Sequence, residues 1–142
     1  MAAMAAMDGE CIPFARAQDS ATAAPLAVIA FVQTWFGPSQ MAVRQLLTAG
    51  PANGVEVFFV DADQEAHKAH QLGLWASPAF LFYARGCQLM IQRPETDDAT
   101  KYVGSISTEE LDSLLHQARE CLATNAIVLR AGRVWCSGNL TD

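Results

Sequence analysis

A run of seven apolar residues, Leu26–Val32, constrains the fold more than any other feature of the sequence. It reads Leu-Ala-Val-Ile-Ala-Phe-Val and lacks the polar alternation of a strand that has one face in water. Such a run is typical of a strand buried on both faces, as in a sheet covered by helices on each side. The sequence therefore predicts an α/β domain with this strand inside its sheet.

Helix and strand signals alternate after this run. Pro38 suits the first turn of a helix, where its missing N–H is no loss, and Gly50 marks the end of that helix. Val55–Val60 is a second β-branched strand, and the pair Asp61 and Gln64 predicts the N-terminal cap of a short helix. Two strand–helix units in a row imply a parallel pair of strands.

The second half of the chain predicts a hairpin and a closing helix. Ala79–Tyr83 is a third apolar strand, and a turn at Gly86 leads into Cys87–Gln92, so these two segments are expected to pair antiparallel. Ser107 begins a capping box, and leucines then recur at helical spacing as far as Thr124. We expect a long final helix there.

One domain with two extensions is predicted from the length and from the positions of these elements. The chain has 142 residues, of which 51% are hydrophobic, and this is enough for a single substantial core. The alanine-rich residues 1–20 show no sustained period, so a flexible N-terminal arm is expected there. The α/β domain is expected over residues 21–124, and residues 125–142 form a C-terminal tail without an assigned structure.

Charge and cysteine content limit the partners and the compartment. The net charge is −6, so the surface lacks the cationic patch that binds nucleic-acid phosphates. The longest apolar run falls short of the roughly 20 residues that cross a bilayer, and we expect no membrane partner. The cysteines form no Cys-x-x-Cys pair and follow no secretory signal, which favours a reducing, cytoplasmic location. They are Cys11, Cys87, Cys121 and Cys136.

Five short motifs carry a resemblance to a known family. Residues 35–41, Trp-Phe-Gly-Pro-Ser-Gln-Met, resemble the thioredoxin motif Trp-Cys-Gly-Pro-Cys-Lys-Met with both cysteines replaced. Val60–Asp63 is similar to the family's Val-Asp-x-Asp, and Leu74–Phe80 is similar to its segment around the cis-proline. The turn at Gly86 and the Val-Gly pair ending at Gly104 match in the same order. The resemblance extends over roughly residues 25–120.

This resemblance implies a thioredoxin-like fold, in which a central mixed sheet of four to five strands is flanked by helices and Pro78 follows a cis peptide bond. It also implies that the redox chemistry is absent. Phe36 and Ser39 stand where the family has its attacking and resolving cysteines, and Ala30 stands where it has a buried carboxylate that accepts a proton. Because a hydroxyl cannot exchange with a disulfide, no reductase activity is expected at this site.

An apolar surface remains where the dithiol would be, because the resemblance places the loop before the helix opposite the cis-proline loop. The residues that would form it are Trp35, Phe36, Pro38, Trp75, Ser77 and Pro78. Large aromatic side chains are favoured anchors for a protein or peptide partner, and Ser77 would offer a backbone edge for strand addition. The alternative is that Trp35 and Phe36 fold down as a lid and nothing docks there.

Other functions stay open at this point. A thiol-dependent oxidoreductase could use Cys87 or a tail cysteine, although no cation or helix N-terminus beside any cysteine is evident. The apolar pair at 134 and 135 could join the chain to a larger assembly, and the acidic loop 93–101 is a second candidate surface. His67 and His70 are expected to be a solvated pair, and neither a metal nor another cofactor is expected.

Overall fold

The computed structural model describes residues 10–93 and 100–131 of the chain. Within these ranges, no helix is both long enough and apolar enough to cross a membrane. The helices are α1 (Phe14–Ala23), α2 (Gly37–Ala52), α3 (Ala66–Gln71) and α4 (Thr108–Thr124). The strands are β1 (Leu26–Val32), β2 (Glu56–Asp61), β3 (Ala79–Ala84), β4 (Cys87–Gln88), β5 (Met90–Gln92), β6 (Tyr102–Val103) and β7 (Val128–Arg130).

The main sheet has five strands and is mixed. β1 pairs in parallel with β2 and antiparallel with β3, which gives the order β2-β1-β3-β4. The outer edge of β3 pairs with β6 near its first residue and with β4 near its last. The predicted mixed sheet of four to five strands flanked by helices is therefore confirmed.

Strand β1 is buried along its whole length, as its composition predicts. Because alternate side chains of a strand point to opposite faces, β1 contributes to two cores. One core lies under α2 and α4 and includes Val28 and Ala30. The other lies under α1 and α3 and includes Ile29 and Phe31. The site at the end of β1 thus rests on a strand that is fixed from both sides.

The expectation of a flexible arm over residues 1–20 needs correction, because residues 14–20 belong to α1. Ala17 and Ala21 are fully buried, and the ring of Phe14 lies 5.4 Å from that of Phe31. Alanine lets a helix approach a sheet closely but gives a weak hydrophobic period, so the sequence pattern does not reveal the helix. Just before α1, Cys11 forms a parallel bridge with the edge of β2. Residues 1–9 lie outside the described ranges.

The domain boundary at residue 124 also needs correction, because β7 is part of the fold. β7 pairs in parallel with β5, and Leu129 is completely buried in the core under α2 and α4. The expected hairpin over Cys87–Gln92 is accordingly divided. Its first two residues, β4, pair with β3, whereas its last three, β5, pair with β7. Residues 132–142 lie outside the described ranges.

Two of the local turn and cap signals are confirmed, but the predicted helix end at Gly50 is wrong, because α2 continues to Ala52. Ser107 Oγ accepts a hydrogen bond from the backbone N–H of Glu110, as the capping box predicts. Gly86 has a φ of 76°, a conformation that glycine adopts without strain. Asp61 behaves differently from the prediction: its carboxylate accepts N–H groups of a turn at residues 63 and 64, and α3 begins later, at Ala66.

Candidate functional site

Residues 35–41, which resemble the thioredoxin dithiol motif in sequence, lie between the carboxyl end of β1 and the first turn of α2. Phe36 immediately precedes α2 and is half-buried, and its ring lies 5.6 Å from that of Trp35. Trp35 is 66% exposed and Pro38 is also exposed. Ala30 is buried in the apolar core, without a titratable group to move a proton. Aromatic and apolar groups thus occupy the helix terminus.

Ser39, in the first turn of α2, is completely buried and takes part in a closed ring of hydrogen bonds. Its Oγ accepts the backbone N–H of Gln33 at 3.1 Å and donates to Ser77 Oγ at 3.3 Å. The Ser77 hydroxyl in turn donates to Gln33 Oε1 at 2.5 Å. The ring joins three segments: the end of β1, the first turn of α2 and the loop before β3. Both hydroxyls are therefore held in place by defined partners.

Asp63 connects this ring to Trp35. One carboxylate oxygen accepts the side-chain N–H of Gln33 at 3.0 Å, and the other accepts the indole N–H of Trp35 at 2.7 Å. The hydrogen bond from Gln33, followed by that from Trp35, holds the pKa of Asp63 below its ordinary value of 3.8. Asp63 is therefore an anion at neutral pH and acts here as an acceptor.

The loop before β3 forms the facing side of the site. The Ser77–Pro78 peptide bond is cis, Pro78 is buried, and its carbonyl accepts the N–H of Gly104 at 2.7 Å. Ser77 is half-buried, whereas Trp75 is 82% exposed. The loop thus presents a large aromatic side chain next to a fixed turn of backbone.

A groove of about 400 Å³ lies between the end of β1, helix α3 and this loop. This volume falls within the range of small-molecule and side-chain pockets. Its lining is mostly apolar and includes the polar side chains of Gln33, His70 and Ser77. The lining residues are Phe31, Gln33, Ala62, Ala66, Ala69, His70, Gly73, Leu74, Trp75, Ala76 and Ser77.

None of the described thiols lines the groove or bonds to the ring of hydrogen bonds. Cys87 is exposed but pairs with Ala84, at the opposite end of β3 from Pro78, so roughly 17 Å of strand separates the two. Burial raises the pKa of Cys121, and burial together with Asp61 raises the pKa of Cys11, so neither is activated as a thiolate. Cys136 lies outside the described ranges.

The two histidines of α3 do not meet further metal ligands. His67 Nε2 lies 3.2 Å from the side-chain nitrogen of Gln71, and His70 lines the groove. Over residues 10–93 and 100–131, no three histidine, cysteine or acidic side chains gather as a metal site would require. The acidic residues of loop 93–101 fall between 94 and 99 and lie outside the described ranges.

Gln33 and Asp63 are site residues that the sequence motifs do not single out for a role. Asp63 is visible as part of a motif match, but Gln33 belongs to none of the five motifs. The available signal is its position, because Gln33 is a polar residue directly after a buried strand. Such positions at the carboxyl ends of strands in α/β folds commonly face a binding crevice.

Comparison with known proteins gives a likeness at the level of structure. No family model and no curated protein matches the sequence. The structure of a mutant thioredoxin from Halobacterium salinarum NRC-1 is similar, with a TM-score of 0.59, 20% identity and coverage of 72% of this chain and 81% of that chain.

Two other thioredoxins of known structure are similar to the same degree. Thioredoxin O2 from Arabidopsis thaliana, in its oxidised state, gives a TM-score of 0.56 at 21% identity and covers 73% of this chain and 84% of its own. Chloroplastic thioredoxin z gives a TM-score of 0.61 at 15% identity, and the match covers 78% of this chain and 94% of that chain. Together with the strand order, these likenesses establish that the chain has the thioredoxin fold.

Proposed function

We propose that this chain is a non-catalytic thioredoxin-like domain that acts as a protein-binding or scaffolding module in the cytoplasm. The observation that carries the proposal is the content of the α2 terminus. An aromatic ring, Phe36, stands where an attacking thiolate would be needed, and the hydroxyl of Ser39 is tied into a ring of hydrogen bonds.

The chemistry of disulfide reduction requires groups that this site lacks. A thiolate must attack a disulfide sulfur, and a second thiol must release the substrate from the mixed disulfide. Phenylalanine supplies no nucleophile, and the Ser39 hydroxyl remains protonated near neutral pH. Ala30 offers no proton acceptor behind them.

The surface chemistry supports binding of an extended peptide. The 66% exposure of Trp35 argues against a closed lid, and the exposed Trp75 adds a second aromatic anchor beside the groove. A bulky apolar side chain of the partner would fill the groove, while its backbone would pair with the chain at Ser77. Phe36 and Pro38 complete this docking surface, which consists of Trp35, Phe36, Pro38, Trp75 and Ser77. Pro78, which the resemblance also places there, is buried and contributes no exposed side chain to it.

Insulin-disulfide reduction by dithiothreitol tests the lack of catalysis. We expect the wild-type chain to leave the rate at that of dithiothreitol alone. The double variant Phe36→Cys with Ser39→Cys serves as the positive control. It should form a reducible disulfide but turn over slowly, because Ala30 leaves it without a proton acceptor. Wild-type turnover comparable with that of a thioredoxin would refute the proposal.

Selection from a displayed library of extended peptides tests binding. We expect selected peptides to share a bulky apolar residue and to lose about tenfold or more in affinity with Trp75→Ala or Phe36→Ala. Ile127→Ala is the matched control, because Ile127 is a large apolar residue that is 48% exposed but lies beside β7. Peptides that bind all three variants equally would place the binding surface elsewhere.

A further inference from the structure

We propose that Gln33 is a positioning residue that couples the two loops of the docking surface. The inference deepens the proposed function and rests on it for its biological meaning. Gln33 is not itself one of the exposed aromatic residues, which are Trp35 on one loop and Trp75 on the other. Its side chain contacts Asp63 on one side and Ser77 on the other, and its backbone N–H contacts Ser39.

The direction of every hydrogen bond in this cluster follows from the charge of Asp63. A carboxylate only accepts, so the NH₂ group of Gln33 must face Asp63. The carbonyl oxygen of the same amide then faces Ser77, whose hydroxyl must donate to it. The Ser77 oxygen is left to accept, and it does so from the hydroxyl of Ser39, which itself accepts the N–H of Gln33. The arrangement has one consistent set of donors and acceptors.

The same carboxylate holds the indole of Trp35 at 2.7 Å. Trp35 lies on the loop before α2, and Ser77 lies on the loop before β3, 44 positions from Gln33 in sequence. The Gln33 amide therefore stands between an aromatic anchor on one loop and a strand-pairing edge on the other. Hydrogen bonds in such a chain polarise one another, and those to an ionised group are the stronger ones.

Because of its location, Gln33 would affect peptide binding as well as packing. Gln33 is half-buried and lines the groove beside Ser77 and Trp75. A peptide that pairs with the backbone at Ser77 would contact the amide or displace its hydroxyl partner. Its binding would then be transmitted to Trp35. With the ring intact, the two loops are already arranged, which lowers the ordering cost of association.

A coupling experiment on the full-length chain tests the proposal without a partner. The readout is the indole ¹H–¹⁵N resonance of Trp35, identified by its loss in Trp35→Phe. We expect Ser77→Ala to shift this resonance in the wild-type background, because the side chains of Gln33 and Asp63 link the Ser77 hydroxyl to the indole by hydrogen bonds. In Gln33→Ala and in the length-matched Gln33→Met, Ser77→Ala should cause no additional shift.

Gln40→Ala is the matched control background. Gln40 lies nearby, in the first turn of α2, and donates to the carbonyl of Thr34 at 2.8 Å, outside the ring. The shift caused by Ser77→Ala should persist there. The proposal is overturned if Ser77→Ala leaves the Trp35 resonance in place in the wild type, or if its effect survives in both Gln33 variants. Because no peptide is used, a failure of peptide selection would count against the proposed function and leave this result standing.

Discussion

Gln33 and Gln117 each use both polar atoms of one side-chain amide to join segments that lie apart in sequence. Gln117, on α4, is 7% exposed; its Nε2 donates to the carbonyl of Arg130 at 3.0 Å, and its Oε1 accepts the N–H of the same residue at 2.8 Å. Gln33 is half-buried and bonds to the side chains of Asp63 and Ser77 at the rim of an open groove.

The two amides differ in whether water could take over their hydrogen bonds. The amide of Gln117 pairs with the backbone N–H and C=O of Arg130 as a neighbouring strand would, and because Gln117 is buried, leaving its amide or these groups unpaired would cost free energy. Around Gln33, water can reach the polar groups and substitute for the amide. We therefore assign Gln117 to the stability of the fold, whereas Gln33 is proposed to set the geometry of the proposed docking surface.

The largest effect is expected from Leu129→Ala, which tests whether the segment that Gln117 holds belongs to the core. Leu129 is completely buried, so its truncation should lower the free energy of unfolding by about 2–5 kcal/mol. Urea denaturation measures this change. Ile127→Ala, two positions away at a side chain that is 48% exposed, should have a much smaller effect. Equal, small losses in both variants would mean that β7 is dispensable.

Gln117→Leu should come next, with a loss of about 1–3 kcal/mol in the free energy of unfolding. The variant keeps the apolar volume but leaves the N–H and C=O of Arg130 without their amide partner. The control is Gln88→Ala, because Gln88 is exposed and donates one hydrogen bond to the carbonyl of Thr100. If Gln117→Leu and Gln88→Ala lower the free energy of unfolding equally, the pairing of Gln117 with Arg130 has no special weight for stability.

Gln33→Ala should cost about 1 kcal/mol or less in the same denaturation experiment, because water can replace the lost bonds. A loss as large as that of Gln117→Leu would break the comparison, since it would make Gln33 a structural residue of the same kind. Gln40→Ala again provides the reference for removing an exposed amide from this segment.

The smallest effect is expected at acidic pH and concerns the pKa of Asp63. Since the pKa of Asp63 is lowered in the folded chain, its contribution to stability is complete above the unfolded value of 3.8 and is lost as pH falls through the folded pKa. In Gln33→Met the main cause of the shift is removed. An NMR titration of the Asp63 carboxyl carbon should then give a higher midpoint than in the wild type. An unchanged midpoint would contradict the hydrogen bond from Gln33 to Asp63.

The sequence is a good guide to the fold where burial leaves a long, uninterrupted signal. β1 is such a case, and the capping box at Ser107 is another. α1 escapes detection because its buried face at Ala17 and Ala21 is made of small side chains. β7 escapes because three residues are too few to show a period.

The candidate site is predictable in its aromatic residues and unpredictable in its polar ones. Trp35 and Trp75 can be identified because they sit in or beside motifs with a known arrangement. The ring through Gln33, Ser39 and Ser77 depends on distances between three separate segments. Neither composition nor periodicity encodes such distances, so a single sequence gives no sign of them.

The position of β7 bears on how the chain folds while it is being synthesised. The core under α2 and α4 includes Leu129 and Ala131, although most of its other members precede residue 122. A nascent chain can assemble the sheet early but cannot close this core until residue 131 has left the ribosome. Until then the apolar side chain of Ile91 and its neighbours would stay accessible to chaperones.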